Sequence, residues 1–294
     1  MRFAVIGDIH GFWDERDTAF FEASDYDALL FVGDLPRLAN HREVAGELAR
    51  LTKPAWLMPG NHDGVTAPQL LAEIKGWHLL RRLTAIGMTR RVRRLETAIG
   101  NVRLTGYALH DLGDGLGMLA ARPHAMGPDK FYYGHYMRRR FGIRGYHDSA
   151  DLLRRLVDDA PEDLIVLAHN GPAGLGDAPE DPWGCDFSDE FGDFGDPDLE
   201  AALEHARDSG RRVHALVAGH MHHQRKRGGG RRTSARRHDT LYVNAASVPR
   251  IRDGGARRHH VALTVDTDGA RAETVIVNAD GDVVERTPLP EESP

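Results

Sequence analysis

The stretch that decides the fold is Gly60-Asn61-His62-Asp63. It follows a short apolar run, residues 55–58, which reads as a buried strand that breaks at a Pro-Gly pair. Open α/β sheets bind ligands at the carboxyl ends of their strands, where these polar side chains are delivered. Asn61 offers an oxygen ligand, His62 can carry a proton near neutral pH, and Asp63 can orient an imidazole. Taken alone, the stretch is equally explained by a turn whose Asn and Asp hydrogen-bond their own backbone.

Four other apolar runs of strand length end in the same kind of polar cluster. The clusters are Asp8 and His10 after residues 2–6, Asp34 after residues 28–32, His169 and Asn170 after residues 164–168, and His220 and His222 after residues 213–218. Helical patterns separate the first strands, and this strand–helix–strand order predicts a parallel sheet. Because the pattern recurs five times, an isolated turn does not explain it.

Capping signals and apolar spacing predict five helices between the strands. They cover Asp14 to Ala23, Asn40 (in a capping box with Glu43) to about Leu51, a segment starting at Thr66 and Pro68, Asp148 to Asp158, and a segment capped by Asp196 with Pro197 as its first residue. Between residues 77 and 107 the sequence changes to short runs divided by glycine, such as 91–95 and 102–104. There we expect the sheet to turn antiparallel or a second sheet to begin.

The domain prediction is one domain over residues 1–283 followed by a polar tail, 284–294. Two inserts are expected to shape a substrate pocket: 109–147 as an ordered cap and 174–196 as an acidic, glycine-rich loop. Residues 224–238, rich in Arg and Gly, are expected to form a flexible loop. Three tyrosines of the cap can either stack on a base or pack the cap against the domain, namely Tyr132, Tyr133 and Tyr136.

Composition narrows the class of protein. The 294-residue chain is 41% hydrophobic and 28% charged, as is ordinary for a globular protein, and its net charge of -6 disfavours generic nucleic-acid binding. The single cysteine, Cys185, excludes an intramolecular disulfide and a thiolate metal cage. No secretory leader or membrane-span pattern is found, so we expect a cytoplasmic protein without a membrane partner. Nothing in the sequence indicates the oligomeric state.

The polar clusters suit a pair of metal ions. Hard and borderline divalent cations bind oxygen and imidazole ligands, and a two-metal site needs a carboxylate that can bridge. A single histidine at a strand end is more often a surface or core residue, but the joint occurrence of these clusters favours ligation. The first ion would take Asp8, His10 and His222, the second would take Asn61, His169 and His220, and Asp34 would bridge them.

In order and local context, these clusters resemble the motif set of the calcineurin-like metallophosphoesterases. The motifs are Asp8-x-His10, Gly33-Asp34, Gly60-Asn61-His62-Asp63, His169 and Gly219-His220-x-His222. The resemblance spans Val5 to His222 and supports the ligand division given above. It implies a four-layer α/β/β/α sandwich with a dinuclear site at the strand ends. It further implies two ions, manganese or iron with zinc as a third candidate, and hydrolysis of a phosphomonoester or phosphodiester.

Two such cations, roughly 3.5–4 Å apart, would hold a bridging hydroxide for in-line attack, so no protein nucleophile is needed. His62 is then the expected general acid, worth about 10²- to 10⁴-fold in rate. One position departs from the family pattern: Arg37 stands where many members carry a second aspartate. Either Asp63 or another acid then orients His62, or its acid role is weaker here and Arg37 contacts the substrate phosphate through a bidentate pair. The other possibility for Arg37 is a solvated position in a loop. Asn170 is a second candidate for substrate contact.

Two other functions stay open at this point. A nucleic-acid or nucleotide phosphodiesterase could use the arginines of residues 225–237 to contact phosphates. A non-catalytic scaffold on the same fold would agree with the missing second aspartate. The substrate of the expected hydrolase is a phosphate ester whose identity the sequence does not reveal.

Overall fold

The computed structural model describes residues 1–36, 42–188 and 190–290. Fourteen strands are found in these residues, namely β1 (Arg2–Ile6), β2 (Ala28–Phe31), β3 (Ala55–Leu57), β4 (Arg103–Leu104), β5 (Ala108–Gly113), β6 (Leu116–Ala120), β7 (Asp163–Leu167), β8 (Arg212–Ala218), β9 (Ser234–Arg237), β10 (Thr240–Asn244), β11 (Ile251–Arg252), β12 (Arg257–Asp266), β13 (Gly269–Val277) and β14 (Val283–Pro288). The helices are α1 (Glu15–Ala23), α2 (Arg42–Leu48), α3 (Ala67–Lys75), α4 (His78–Thr84), α5 (Met88–Ala98), α6 (Gly134–Phe141), α7 (Tyr146–Asp158) and α8 (Pro197–Asp208).

The strands form two sheets, each with a parallel centre. The first has the order β14-β13-β12-β1-β2-β3-β4, with β11 paired to β12, and its strands β1 to β4 run parallel. The second has the order β5-β6-β7-β8-β10-β9, and β6, β7, β8 and β10 run parallel. All five apolar runs from the sequence are therefore strands, with β1, β2 and β3 in one sheet and β7 and β8 in the other.

The two sheets pack face to face, and helices cover their outer faces. Successive side chains of a strand point to opposite faces, so Phe3 and Val5 of β1 enter the core between the sheets together with Ile165 and Val217 of the second sheet. Ala4 and Ile6 lie on the other face, in a separate core that includes residues of α1, α2 and α5. A third core joins the second sheet to α6, α7 and α8. The expected four-layer α/β/β/α sandwich is confirmed.

The predicted helices are found at α1, α3, α7 and α8. Asp14 forms the capping box of α1, and the Thr66 hydroxyl accepts from the backbone of α3. Asp196 precedes α8 but does not cap it with its side chain, because its carboxylate pairs with Arg122 at 2.6 Å. Helix α2 is present, whereas the capping residue predicted for it, Asn40, lies outside the described residues. Within the described part of the chain, no helix has both the length and the apolar composition needed to cross a bilayer.

The segment 77–107 differs from the expectation of short strands. Residues 91–95 lie within α5, whose inward positions Met88, Val92 and Leu95 are buried and recur every three or four residues. The arginines between them obscured this helical period in the sequence. Strand β4 pairs parallel with β3, so the sheet does not turn antiparallel here. The second sheet begins at β5, just after this segment.

Three further segments are more regular than predicted. The insert 109–147 contains most of the hairpin β5–β6 and all of α6, so its irregular connections are residues 121–133 and the short link 142–145. Residues 224–238 include β9, which pairs with β10. The polar tail 284–294 begins inside β14, which pairs with β13, and Leu289 is buried in the core between the sheets. In each case the strand pairs with its neighbour along the chain, and its own charged or polar residues obscured the strand pattern in the sequence.

Candidate active site

The carboxyl ends of β1 and β8 bring three predicted metal ligands together. His222 Nε2 lies 3.4 Å from Asp8 Oδ2 and 3.2 Å from His10 Nε2. One ligand atom from each of these residues lies within 4.8 Å of the others, so a single cation can contact all three. The backbone N–H of His220 also donates to the Asp8 carboxylate, which fixes the end of β8 against the end of β1.

A second group forms around Asn61, after β3. Its side-chain oxygen Oδ1 lies 2.9 Å from His169 Nε2 and 3.0 Å from His220 Nδ1. The other ring nitrogen of His169, Nδ1, lies 2.7 Å from the carbonyl of Val32, to which it can donate its proton. That tautomer leaves a lone pair on Nε2, which faces the lone pairs of the Asn61 oxygen. Two such acceptors approach favourably only when a proton or a cation lies between them.

Asp34 lies between the two groups. Its Oδ2 atom is 3.7 Å from His10 Nε2 in the first group and 3.7 Å from His169 Nε2 in the second. The donor set around it consists of carboxylate and amide oxygens and neutral imidazole nitrogens, which suits divalent cations such as manganese, iron or zinc. The residues present therefore fit two cations, with the Asp34 carboxylate able to contact both.

The backbone approaches this centre closely enough to require glycine. A Cβ atom on Gly60 would lie 2.5 Å from His169 Cε1 and closer still to Asp34 Oδ1. One on Gly219 would lie 2.7 Å from the Val32 side chain and closer still to the Asp8 carboxylate.

Three of the expected ligands have a positive φ angle, which is uncommon outside glycine. They are His10 (44°), Asp34 (53°) and His220 (68°).

The charged side chains of the centre favour a cation even before a metal is bound. Burial opposes ionisation of Asp8 and Asp34, but interactions with nearby histidines outweigh it and lower the pKa of both carboxyls. Burial likewise opposes protonation of His169, but the Asp34 and Asp8 charges raise its pKa, so positive charge is favoured there. Burial and the charge of His169 lower the pKa of His220 to about 3, so this imidazole keeps its lone pair at neutral pH.

His62 lies beside the centre without Asp63 as its orienting acid. Asp63 is fully buried and accepts backbone N–H groups from Gly60, Asp34 and Leu35 at 2.7 to 3.0 Å, so it joins the loops after β2 and β3. The expectation that Asp63 orients the imidazole is wrong for this reason. His62 Nε2 instead lies 4.0 Å from Asp34 Oδ2. Arg37, the other residue in that argument, lies outside the described residues.

Two residues that the sequence argument did not assign to the site hold the Asn61 loop in place. The Tyr133 hydroxyl donates to the backbone carbonyl of Asn61 at 2.7 Å, and His124 Nδ1 lies 2.8 Å from the carbonyl of Gly60. Tyr132, Tyr133 and Tyr136 are all buried and pack residues 121–141 onto the domain, and of the three only Tyr132 also contributes to the wall of the cavity at the centre. Their clustering in the sequence was the signal, and the packing role is the one observed.

Asn170 does not line the open site. It is fully buried and its side-chain nitrogen donates to the carbonyl of Phe194, so its predicted contact with substrate is not supported. Nearby, the buried guanidinium of Arg122 pairs with Asp196 and Asp198 at 2.6 and 2.8 Å. Because the N–H of Asp196 donates to the carbonyl of Gly171, this ion-pair group supports the chain that follows His169.

A cavity of about 640 Å³ opens directly onto the centre, with His10, Asp34, Asn61, His62, His220 and His222 in its wall. The rest of the wall is largely apolar and includes Leu70, Ile74, Met126, Phe187, Phe191 and Phe194. The last three belong to the insert 174–196, which was expected to shape the pocket on account of its acidic, glycine-rich composition. The recurrence of phenylalanine at intervals of four and three residues was the overlooked signal. Lys226 also lines the cavity, with Nζ 4.9 Å from the centre of the Phe187 ring.

The arginines near His222 are mostly engaged within the protein. Arg231 is buried, and its Nη1 donates to two backbone carbonyls of the acidic insert at 2.7 Å each. Arg225 pairs with Glu180 at 3.1 Å, and Arg232 pairs with Asp181. These contacts attach residues 225–232 to the insert 174–196 and argue against a set of arginines that follows a nucleic-acid backbone.

Comparison with known proteins places the chain in a family. No curated protein matches the sequence. Among solved structures, the chain is similar to TT1561 of Thermus thermophilus (12% identity, TM-score 0.49, 98% of this chain and 99% of that one) and to the purple acid phosphatase PPD1 of yellow lupin (14%, 0.49, 99% and 54%). It is also similar to the phosphoesterase Yfce of E. coli (14%, 0.36, 99% and 100%). The sequence profile of the calcineurin-like phosphoesterases matches residues 1–224, and the chain therefore belongs to this family, whose general chemistry is metal-dependent hydrolysis of phosphoesters.

Proposed function

We propose that this protein hydrolyses a phosphomonoester or phosphodiester with two divalent cations, manganese or iron being preferred to zinc. The observation that carries the proposal is the position of Asp34, whose Oδ2 lies 3.7 Å from a histidine nitrogen on each side. Asp8, His10 and His222 would hold one cation, and Asn61, His169 and His220 the other. When bound, the cations supply the positive charge that polarises the phosphoryl group and activates water.

The remaining chemistry falls to the side chains of the chain itself. In hydrolysis a bond from the water oxygen to phosphorus forms, the phosphorus–oxygen bond to the leaving group breaks, and the leaving oxygen takes up a proton. His62 is about 30% exposed at the cavity wall, so it can donate that proton to the leaving oxygen and recover one from solvent. Because Asp8, Asp34 and His169 are buried among packed side chains, their positions at the centre are fixed before a substrate arrives.

Elemental analysis of the purified protein, paired with turnover of p-nitrophenyl phosphate and bis-p-nitrophenyl phosphate in added manganese, tests the proposal. The wild type should contain nearly two metals per chain. The Asp34→Asn variant should lose one or both metals and its turnover. The matched control is Asp25→Asn, the same chemical change at a carboxylate that is 76% exposed, which should keep both. No bound or activating metal and no turnover of either ester would assign the protein to the non-catalytic scaffolds.

A further inference from the structure

The helices beside the cavity expose an unusual number of large apolar side chains. No residue of α4 is buried, and Leu79 and Ile86 are 73% and 71% exposed. A surface helix normally turns its apolar side chains toward the core, so a group of this kind indicates a binding surface. We call this group the α3–α4 surface; its members are Leu71, Ile74, Trp77, Leu79, Leu83 and Ile86.

The exposed charges on α3, α4 and the first two turns of α5 have one sign, and the first exposed acid further along is Glu96, in the last turn of α5. Between residues 71 and 95 the exposed charged side chains are all basic: Lys75, Arg82, Arg90, Arg93 and Arg94. The single acid of that segment, Glu73, is buried and pairs with Arg81 at 2.8 Å. This basic surface belongs to a chain whose net charge is -6, so the concentration is local.

The sign of the charge selects the partner. A second copy of this chain docked through the same surface would bring arginine against arginine, which is unfavourable in a symmetric contact. An anionic lipid surface is complementary, since basic side chains meet its headgroups while leucine, isoleucine and tryptophan enter the interface. The expectation of no membrane partner was drawn from the lack of a membrane span and did not consider this mode of contact.

The α3–α4 surface is continuous with the cavity at the metal centre. Ile74 belongs to both, because it is 45% exposed and also lines the cavity with Leu70 of the same helix. Lys130 Nζ donates to the carbonyl of Ile74 at 2.9 Å and so ties the end of α3 to the cavity wall. Across the cavity, Phe187 adds an aromatic face that is itself 41% exposed. An apolar path therefore leads from the candidate metal centre to the basic surface.

We propose that the substrate is a lipid phosphoester taken from an anionic membrane surface, an inference that rests on the proposed function. The α3–α4 surface contacts the lipid layer, the alkyl or acyl part of the substrate occupies the apolar wall of the cavity, and the phosphoester reaches the centre at Asp34. Lys226 and Lys130, in the cavity wall, offer positive charge to an anionic headgroup, and the carboxylates of Asp129 and Asp186 lie in the same wall. Hydrolysis then adds water across the phosphorus–oxygen bond and releases the lipid part as an alcohol or a phosphate.

The surface is tested by flotation with vesicles of equal parts phosphatidylglycerol and phosphatidylcholine, against vesicles of phosphatidylcholine alone. The wild type should bind the anionic vesicles, and the double variant Leu79→Ser/Leu83→Ser should bind about tenfold less or weaker still. Val284→Ser, at an apolar side chain on β14 that is as exposed as Leu83 (53% against 54%), is the control and should bind like the wild type. Thermal unfolding of all three proteins verifies that they are folded.

Two results of this experiment would overturn the inference. The first is no binding of the wild type to anionic vesicles at low salt. The second is equal binding by the double variant. Self-association of the wild type in sedimentation, lost in the double variant, would instead assign the surface to a second copy of the chain.

The cavity is tested with a series of alkyl phosphates from butyl to octyl, with thymidine 5′-(p-nitrophenyl phosphate) as a nucleotide probe. The value of kcat/KM should rise by up to about fourfold for each methylene group that the apolar wall covers. Turnover of bis-p-nitrophenyl phosphate without any chain-length dependence, or a preference for the nucleotide ester, would overturn this inference and leave the proposed function standing. No turnover of any ester in manganese would overturn both.

Discussion

Replacing Gly60 by alanine should disable the proposed metal centre through geometry alone. The new Cβ atom would lie 2.5 Å from His169 Cε1, whereas carbon atoms in contact are usually separated by at least about 3.5 Å. His169 is fully buried and Asp34 is only 2% exposed, so neither side chain can move into solvent. The centre must therefore open by about 1 Å, and a misplacement of that size costs on the order of 10²-fold in rate.

The assay measures manganese affinity by titration calorimetry and kcat/KM with bis-p-nitrophenyl phosphate. Both should fall by about 10²-fold in Gly60→Ala, because metal sites tolerate ligand displacements of only about 0.2 Å. The matched control is Gly46→Ala in α2, where a Cβ atom meets nothing within 4 Å. That variant should keep full activity and gain about 0.5–1 kcal/mol in unfolding free energy, since alanine is the better helix former.

A Gly60→Ala protein with two bound metals and wild-type turnover would refute the reasoning. It would mean that Asp34 and His169 can separate from the β3 loop without loss of function. Their distances to the other expected ligands would then not define the site.

Three further predictions concern the surroundings of the centre. In His62→Ala, metal content should stay unchanged while turnover of an alkyl phosphate falls by about 10²- to 10⁴-fold. Turnover of a p-nitrophenyl ester should fall by less, because its leaving group needs no proton. Equal losses for both esters would exclude His62 as a general acid. In Arg122→Met, the two buried aspartates Asp196 and Asp198 lose their partner, and denaturant unfolding should show a free energy of unfolding lower by about 3–5 kcal/mol. The control Arg154→Met, at an exposed ion pair, should lower it by only about 0–1 kcal/mol. Similar losses in the two variants would contradict the role of the buried ion pair. In Tyr133→Phe, the hydrogen bond to the Asn61 backbone carbonyl is lost. In a manganese titration, affinity for one of the two metals should then fall by about 10- to 100-fold. Unchanged affinity for both metals would show that this hydrogen bond does not position Asn61.

The polar strand ends could be recognised from the sequence because their signal is local. Each expected ligand stands directly after an apolar run, as His10 follows β1 and His220 follows β8, and strand direction brings such positions to one edge of a sheet. The capping residues of α1 and α3, Asp14 and Thr66, are equally local signals, because the cap and the helix that it begins are adjacent in sequence.

Other features depend on partners far apart in the chain, which no local pattern encodes. Asp63 stands next to His62 and is one candidate for its orienting acid, but the approach of β2 to β3 directs its carboxylate to three backbone N–H groups instead. The sequence leaves open whether the arginines after His222 bind phosphate. In the structure the acidic insert packs against this segment, and Arg231 is buried with hydrogen bonds to its backbone carbonyls.

The sequence by itself determined the fold class and the set of candidate metal ligands, because strand periodicity and ligand chemistry are properties of short segments. Only the tertiary structure decided how these side chains are supported and what surrounds them. The apolar cavity wall combines Ile74 of α3 with Phe187 and Phe194, which are more than a hundred residues further along the chain. The physical reason is that hydrophobic burial is non-directional, so which apolar side chains stay exposed beside a site depends on the packing of the whole chain.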